Sequence, residues 1–253
     1  MVAELVEMKD VSCYAISKDE AQFIYKEIFE DHCYKISNLP DAPFIIDVGA
    51  NIGLFCLYMK QKFPSSTILA FEPAPETYDV LVRNLELNKT MDVEVFKFGL
   101  ASKASTEKLT YFPNLPGNST LFADEKMQLY EEAVKKRGRE AADARFGGAH
   151  EVDVKLERLS HFLNNRPNLD RIDLLKVDVE GAELEVIRGL DDVHWNMIQN
   201  VVLETWEKSG VRSEIEQLLE SKGFTITREA AEWAPTQFYM ITAHRAESNG
   251  TKA

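Results

Sequence analysis

The residues of this chain that best suit a chemical role share one glycine-rich turn after a short apolar run. In the pattern D-x-G-x-N-x-G, they are Asp47, Gly49, Asn51 and Gly53. A second apolar run, 67–71, leads into Glu72, which lies 19 residues beyond Gly53. A strand, a glycine-rich turn, a helix and an acidic strand end are the parts from which α/β proteins build a pocket for an adenosine-containing cofactor.

The second and third glycine positions of this turn indicate which cofactor of that kind fits. Turns that bind dinucleotides read G-x-G-x-x-G and place a helix N-terminus against phosphate groups. Here Asn51 and Leu54 occupy the second and third glycine positions. S-adenosylmethionine (SAM) carries a sulfonium cation and an amino-acid tail instead of phosphates, so it suits an acidic loop such as that of Asp47. The turn therefore favours SAM, although glycines in a tight turn can also serve the backbone alone.

A second group of carboxylates follows a later apolar run. The segment K-V-D-V-E-G (176–181) places Asp178 and Glu180 at the end of one predicted strand, and Glu204 ends the next. Because doubly wound sheets place their active sites at the carboxyl ends of strands, we expect both groups of carboxylates to converge on one edge. Glu180 and Glu183 also suit the first turn of a helix, where carboxylates stabilise the N-terminus.

Apolar periodicity predicts strands that alternate with helices through most of the chain. The predicted strands are 44–48, 67–72, 93–99, 109–112, 150–156, 172–179, 201–204, 224–228 and 236–243. The predicted helices are 17–36, 53–62, 75–88, 124–145, 157–164, 182–189 and 213–222. This alternation implies an α/β fold with a doubly wound, mostly parallel sheet that ends in an antiparallel strand pair. The interruption at 105–156 is interpreted as an insertion after the third strand, and such insertions commonly build substrate sites.

The predicted elements divide the chain into three parts. These are an N-terminal helical extension or lid (1–43), a core with the insertion (44–245) and a small polar tail (246–253). In the lid, Tyr25, Phe29 and Tyr34 could cover a substrate, although the spacing of Tyr25 and Phe29 is also that of plain helix packing. The basic run 135–139 in the insertion could contact an acidic partner, but a solvated face is the better interpretation.

Composition argues against several classes of function. The chain has 253 residues, a hydrophobic fraction of 45% and a formal net charge of −13. That charge argues against non-specific binding of nucleic acid, which requires a basic face. The sequence contains no apolar run of about 18 residues, so we expect no membrane span. The N-terminus lacks the pattern of a secretory signal. Three scattered cysteines without C-x-x-C spacing favour a reducing, cytoplasmic compartment over a disulfide framework.

Three segments of the sequence resemble the FkbM family of SAM-dependent methyltransferases. They are D-V-G-A-N-I-G-L-F (47–55), F-E-P (71–73) and L-L-K-V-D-V-E-G-A-E-L-E-V-I-R-G-L (174–190). The resemblance spans roughly residues 20–245 and implies the Rossmann-like fold of class I methyltransferases. More narrowly, the chain is similar to O-methyltransferase domains associated with polyketide and nonribosomal peptide synthases. That likeness implies methyl transfer from SAM to a hydroxyl, on an acyl or peptidyl chain held by a carrier protein.

Other acceptors and roles stay open beside this expectation. The same family resemblance covers a hydroxyl of a glycan or of a free small molecule. A SAM-binding protein without catalysis is a further alternative, although the intact acidic strand ends argue against it. Neither a Pro-Pro-Tyr nor a Pro-Cys motif is present, so oxygen remains the expected methyl acceptor.

The family resemblance also implies a role for each candidate site residue. The residues that would hold the cofactor are Asp47, Gly49, Asn51, Gly53, Glu72, Pro73, Phe98, Gly99 and Asp178. The turn would hold the methionine half of SAM, Glu72 the ribose hydroxyls, and Phe98 with Gly99 would lie beside adenine. Asp178 and Glu180 would face the reacting centre.

A general base and a metal ion compete for the same carboxylates. An aliphatic hydroxyl has a proton to lose, and a carboxylate within hydrogen-bond reach can accept it. Asp178 is the leading candidate for this base and Glu204 the next, with Glu180 beside them. A divalent cation such as Mg²⁺ could instead bind Asp178 and Glu204. No third ligand is evident, so a metal is not favoured.

Overall fold

Seven strands form the central sheet of the structure, a computed structural model that describes residues 3–34, 36–231, 234 and 237–245. The strands are β1 (Glu4–Glu7), β2 (Ser12–Ala15), β3 (Phe44–Val48), β4 (Thr67–Phe71), β5 (Val93–Phe96), β6 (Gly99–Leu100), β7 (Ser105–Tyr111), β8 (His150–Glu157), β9 (Leu174–Val177), β10 (Asn200–Trp206), β11 (Phe224–Ala230) and β12 (Phe238–Arg245). The helices are α1 (Lys18–Tyr25), α2 (Leu54–Lys62), α3 (Pro75–Leu87), α4 (Ala123–Arg137), α5 (Arg139–Phe146), α6 (Leu159–Asn164), α7 (Glu183–Arg188), α8 (Asp192–Trp195) and α9 (Arg212–Ser221).

The order of the strands confirms the predicted fold class. The central sheet runs β11-β12-β10-β9-β3-β4-β5. Strands β10, β9, β3, β4 and β5 pair in parallel, whereas β12 is antiparallel to both β10 and β11. The sheet is therefore mostly parallel and ends in the expected antiparallel strand pair. Its strand order changes direction at β3, where the glycine-rich turn begins.

Helices cover both faces of this sheet, so its central strands are buried on both sides. Neighbouring residues of one strand enter opposite cores because strand side chains alternate between the two faces. Ile46 and Leu175 pack with Trp195 in one core. Ile45 and Leu174 pack in the other core, against helix α2. This double burial explains the near-continuous apolar runs that predicted the strands, and it fixes the strand ends on which the site is built.

The insertion folds as a second, three-stranded sheet. Its order is β6-β8-β7, with β7 antiparallel and β6 parallel to β8. The predicted strand 93–99 was therefore wrong in extent, because β5 ends at Phe96 and Gly99 begins β6 of the second sheet. A Cβ on Gly99 would lie 2.5 Å from Leu156 Cδ2, so only glycine allows β6 to approach β8 this closely. The insertion thus rejoins the chain beside the core strands.

Other predicted boundaries differ in smaller ways. The single helix predicted at 124–145 is two helices, because Gly138 adopts a φ of +86° between α4 and α5. The short helix α8 was not predicted. The predicted tail 246–253 lies outside the described residues. Among the described residues, no helix combines the length and the apolar character that a membrane crossing requires.

The N-terminal segment differs most from its prediction. Helix α1 follows Ser17, whose hydroxyl accepts a hydrogen bond from the Glu20 amide at 3.5 Å, as the capping pattern predicted. The predicted helix 17–36 is nevertheless too long. Helix α1 widens into a single π-helical turn at Lys26–Glu30, and the chain reverses at His32, whose φ is +54°. The extension is also not purely helical, because β1 and β2 form an antiparallel hairpin.

One buried amide fastens this hairpin to the core. The Asn84 side chain in α3 accepts a hydrogen bond from the Tyr14 amide at 2.6 Å and donates to the Tyr14 carbonyl at 2.9 Å. The same amide donates to the carbonyl of Ile52 in the glycine-rich turn at 2.8 Å. Asn84 is fully buried, so these hydrogen bonds have no competition from water. The amide therefore links the hairpin, α3 and the turn.

We expect Asn84→Leu to loosen the hairpin selectively. The substitution keeps the side-chain volume but leaves three backbone groups without their partner, and each such buried group costs about 1–3 kcal/mol. Chemical denaturation should report the loss of stability, and hydrogen exchange should accelerate most in residues 4–15. Asn165→Ala, which removes an exposed amide that donates within its own helix end, is the matched control. Unchanged exchange in the hairpin would show that the Asn84 amide does not hold it.

Candidate active site

A cleft of about 720 Å³ lies where the carboxyl ends of the central strands face the second sheet. That volume includes the mouth of the cleft, which opens to solvent. The predicted site residues that line it are Gly49, Asn51, Glu72, Pro73, Phe98, Gly99, Asp178 and Glu180. The structure therefore brings most of the predicted cofactor residues to one cavity.

The glycine-rich turn forms one wall of this cleft and requires glycine at its start. Gly49 has a φ of +78°, and a Cβ there would lie 1.8 Å from the carbonyl oxygen of Asp178. Both Gly49 and Ala50 donate their amides to the Phe71 carbonyl at the end of β4. Asn51 follows with a φ of +48°, a conformation that asparagine tolerates better than most residues. The turn is thus held between the ends of β4 and β9.

Two predicted cofactor residues lie behind the turn and do not line the cleft. Gly53 has a φ of +91°, and a Cβ there would lie 2.5 Å from Leu81 Cδ1, so this glycine allows α3 to pack closely. The Asp47 side chain is fully buried and accepts a hydrogen bond from Cys56 Sγ at 3.2 Å. Their direct contact with a cofactor stays a prediction, whereas their position supports the turn.

A buried ammonium group joins the two acidic strand ends. Lys176 Nζ lies 3.1 Å from Asp47 Oδ1 and 3.8 Å from Asp178 Oδ2, and it donates to the Gly49 carbonyl at 2.8 Å. Burial alone would lower the pKa of this lysine, but the attraction of Asp47 and Asp178 outweighs burial and the net shift is upward. Lys176 therefore stays charged and couples the glycine-rich turn to the end of β9.

Glu72 presents its carboxylate to the cleft from the end of β4. Its oxygens accept hydrogen bonds from the Asn51 amide at 3.0 Å and the Ala74 amide at 2.9 Å. Burial raises the pKa of Glu72 to about 7, against the lowering effect of these two hydrogen bonds. A carboxylate has about four acceptor positions, so two remain for donors from a ligand. This arrangement suits the paired hydroxyls of a ribose.

The far wall of the cleft is apolar and comes from the insertion. Its side chains are Leu109, Leu121, Val154 and Leu156, together with Pro116 in the loop after β7. The sequence indicates that the insertion 105–156 contributes to a substrate site, but it singles out none of these residues. The alternation in 150–156 was a usable signal, because it aims Val154 and Leu156 to the same face. One end of the cleft is thus apolar and the other acidic.

A smaller cavity of about 330 Å³ adjoins the acidic end of the cleft. Its lining residues are Lys126, Leu129, Asp178, Glu180, Gly181, Glu183, Glu204, Trp206 and Phe238. Asp178 and Glu180 line both cavities, so they mark the place where the two spaces meet. We call this place the junction. Glu204, predicted as a second candidate base, lies in the smaller cavity.

Asp178 and Glu180 at the junction are each held by a residue that the sequence did not identify. The Tyr34 hydroxyl in the N-terminal segment donates to Asp178 Oδ2 at 2.6 Å. Lys126 in α4 lies 2.5 Å from Glu180 Oε2, and both side chains are mostly buried. Glu180 also has a φ of +56°, and its carbonyl accepts a hydrogen bond from Thr120 at 2.7 Å. The lid and the insertion thus both contribute to the junction.

Glu204 differs from its neighbours in lacking such a partner. Within the described part of the chain, no donor forms a hydrogen bond or ion pair with its carboxylate. Burial raises the pKa of Glu204 well above its usual value, and the nearby Asp178 and Glu180 add to this shift. Glu183, by contrast, accepts hydrogen bonds from the amides of Gly181 and Val179, so it stabilises the turn before α7.

The site fits SAM and offers no evident metal centre. The Asn51 side-chain oxygen is buried in the cleft wall without a donor among the described residues, so a ligand donor has an acceptor there. The apolar wall suits the adenine ring, Glu72 the ribose and the acidic end the sulfonium. Within the described ranges, no cluster of three or more His, Cys, Asp or Glu side chains could hold a metal ion.

Gly49→Ala is expected to weaken SAM binding at least about tenfold, which corresponds to about 1.4 kcal/mol. The added methyl group would need the space of the Asp178 carbonyl oxygen, so the turn must move. Gly138→Ala is the matched control, because Gly138 also has a positive φ but no atom within 4 Å of its Cβ position. Isothermal titration with SAM measures the effect, and circular dichroism checks the fold. Wild-type affinity in Gly49→Ala would contradict the placement of the cofactor.

Comparison with known proteins agrees with this geometry. Residues 47–226 match the Methyltransferase FkbM domain. Methyltransferase sdnD of Sordaria araneosa is 64% identical over 252 residues, which cover 96% of this chain and 97% of that protein. The 31-O-demethyl-FK506 methyltransferase FkbM of Streptomyces tacrolimicus is 31% identical over 91% of this chain and 92% of its own length.

The fold agrees with a solved structure as well. The crystal structure of Methyltransferase FkbM from Methylobacillus flagellatus KT superposes with a TM-score of 0.55 at 12% identity. The superposition covers 81% of this chain and 45% of that one, and it supports the Rossmann-like fold of class I methyltransferases. Together with the domain match and the relatives, this establishes that the chain belongs to the FkbM methyltransferase family and is a SAM-dependent methyltransferase.

Proposed function

We propose that this enzyme transfers the methyl group of SAM to a hydroxyl oxygen. The observation that carries the proposal is the junction, where the cofactor cleft meets an acidic cavity that contains Glu204. The polar lining of that cavity consists mainly of carboxylates, which accept hydrogen bonds and do not donate them when ionised. A hydroxyl group is a donor, so it can enter this cavity with its proton directed at a carboxylate.

The proposed mechanism assigns the protein two tasks. SAM supplies an electrophilic methyl group when it is bound, so the chain mainly has to align the hydroxyl with it and exclude water. Glu204 accepts the hydroxyl proton. A general base works best when its pKa lies near the working pH, and the raised pKa of the Glu204 carboxyl suits this role.

Asp178 takes a different part in this proposal. The sequence favours it as the base, with Glu204 second, whereas we place Glu204 first because of the contacts that the two side chains make. Asp178 already accepts a hydrogen bond from Tyr34 and lies 3.8 Å from the Lys176 ammonium. Both contacts involve Asp178 Oδ2, whereas no described donor contacts the Glu204 carboxylate, which stays available for the hydroxyl proton. We assign Asp178 and Glu180 to alignment at the junction.

Two forms of the acceptor remain to be separated. The resemblance to synthase-associated domains supports a hydroxyl on a chain held by a carrier protein, and it extends the proposal to natural-product biosynthesis. The Streptomyces relative is instead named for methylation of 31-O-demethyl-FK506. This second observation favours a free hydroxylated compound, and the family resemblance also covers a glycan hydroxyl. The exposed basic run 135–139 at the end of α4 would be the natural contact for an acidic carrier.

Trideuteromethyl SAM distinguishes these acceptors in one assay. The purified enzyme is incubated with hydroxylated small molecules, with glycosides, and with hydroxyacyl groups loaded on a carrier protein. Mass spectrometry then detects the trideuteromethyl label and locates it. We expect label on oxygen in at least one class of acceptor. Label on nitrogen or carbon alone, or tight binding of SAM without any transfer, would contradict the proposal.

With a working acceptor, Glu204→Gln should lower kcat by about 10²–10⁴-fold. The variant should still bind SAM, because the glutamine keeps the shape of the side chain, so kcat is measured at saturating SAM. In the wild type, kcat/KM should fall as the pH drops through the raised pKa of Glu204, because only the ionised carboxylate accepts a proton. This limb should be missing in the residual activity of the variant.

Glu229→Gln, on the exposed face of β11, is the matched control and should behave like the wild type. Asp178→Asn tests the second assignment and should affect KM for the acceptor as well as kcat. A Glu204→Gln variant with near-normal turnover would remove Glu204 from its proposed role.

A further inference from the structure

The junction carries more negative than positive charge. Asp178 and Glu180 lie there in the turn after β9, and Glu204 of β10 lies beside it in the smaller cavity. Lys176 is shared between Asp47 and Asp178, and Lys126 is committed to Glu180 at 2.5 Å. In the described part of the chain, neither cation reaches Glu204 within ion-pair distance. The Glu204 carboxylate beside the junction is therefore left without a cation from the described part of the chain.

The groups that face Glu204 come from every element packed around it. The titratable and charged ones are Glu27, Cys33, Tyr34, Lys126, Lys176, Asp178, Glu180 and Glu183. The four carboxylates among them all disfavour a negative charge on Glu204. A positive charge that enters the junction from a ligand would therefore be attracted, because these carboxylates are only partly exposed and water screens them less than it does at an open surface.

We propose that the junction makes the cofactor site selective for the positively charged SAM over the product S-adenosylhomocysteine (SAH), which has no net charge, and that ionisation of Glu204 controls this selectivity. The two ligands share adenine, ribose and the amino-acid tail, so contacts with the turn and with Glu72 contribute to both. They differ in one methyl group and one positive charge. The junction, where the methyl group has to meet the acceptor, is the part of the site that senses this difference.

The proposed chemistry gives this selectivity a use. When Glu204 takes the hydroxyl proton, the oxygen–carbon bond forms and the sulfur–carbon bond breaks, so the sulfonium becomes a thioether. The site then loses one negative and one positive charge in the same event, and its attraction for the cofactor falls. Charge thus favours entry of the donor and release of the product. This use rests on the proposed function, whereas the selectivity itself requires only SAM and SAH.

Isothermal titration with SAM and with SAH over mildly acidic to mildly alkaline pH measures the selectivity. An opposite charge lowers the pKa of a nearby carboxyl by about one unit or more. The ratio of the two dissociation constants should therefore change by about tenfold across the titration, in favour of SAM at higher pH. In buffers of different ionisation enthalpy, SAM should release more protons on binding than SAH does.

Three variants locate the effect. Glu204→Gln should flatten the pH dependence of the ratio and reduce the preference for SAM, and Glu204→Asp should restore it in part. Lys126→Met removes a cation from the junction and should increase the preference. The matched controls are Glu229→Gln and Lys136→Met, which change exposed side chains on β11 and α4. Circular dichroism of each variant confirms that it folds.

A ratio that stays constant with pH in the wild type would overturn the inference. So would a pH dependence that Glu204→Gln leaves unchanged, because another group would then be responsible. Failure of the inferred selectivity can be distinguished from failure of the proposed function. An enzyme that methylates hydroxyls but binds SAM and SAH with a constant ratio keeps the function and loses the selectivity. An enzyme that shows the selectivity but methylates no hydroxyl keeps the selectivity and loses the proposed function.

Discussion

The Lys176 ammonium is the group on which the site depends. It lies between the ends of β3 and β9, contacts Asp47 and Asp178, and donates to the carbonyl of Gly49. Breaking such a buried pair leaves an uncompensated charge, which costs about 3–5 kcal/mol. Because one cation serves both strand ends, the position of the glycine-rich turn and the position of the junction are set together.

The second sheet gives the enzyme a cleft with two chemically different ends. The parallel sheet alone offers strand ends, carboxylates and the turn, which make the polar side. Strands β7 and β8 add the apolar wall, while α4 adds Lys126 to the junction. The N-terminal segment closes the assembly from the other side, because Tyr34 contacts Asp178 and the Glu20 carboxylate accepts a hydrogen bond from the Gly117 amide at 2.9 Å. Adjacent parts of one site thus come from distant parts of the chain.

The parts that sequence could predict are those written in local patterns. Apolar runs that end in Glu72 and Asp178 identify parallel strands, and parallel strands place their ends on one edge. Nothing local marks Tyr34 or Lys126, because each acquires its role only through contact with a carboxylate far away in sequence. The sequence also does not show that the Asp47 side chain points into the core. Because β3 is buried on both faces, its residues do not alternate between polar and apolar, and no pattern indicates the direction of a side chain. Which group pairs with a charged side chain is decided by the tertiary fold, so the sequence alone does not show it.

The raised pKa of Glu204 means that its ionisation lowers the stability of the folded state. A carboxyl whose pKa is raised above its unfolded value of 4.5 stabilises the folded chain at pH below that value. This contribution is lost as the pH rises through the folded-state pKa. Above that folded-state pKa, the ionised carboxylate therefore opposes folding of the ligand-free enzyme. A bound cation relieves that strain, so the donor acts as a stabilising partner of the native state as well as a reactant.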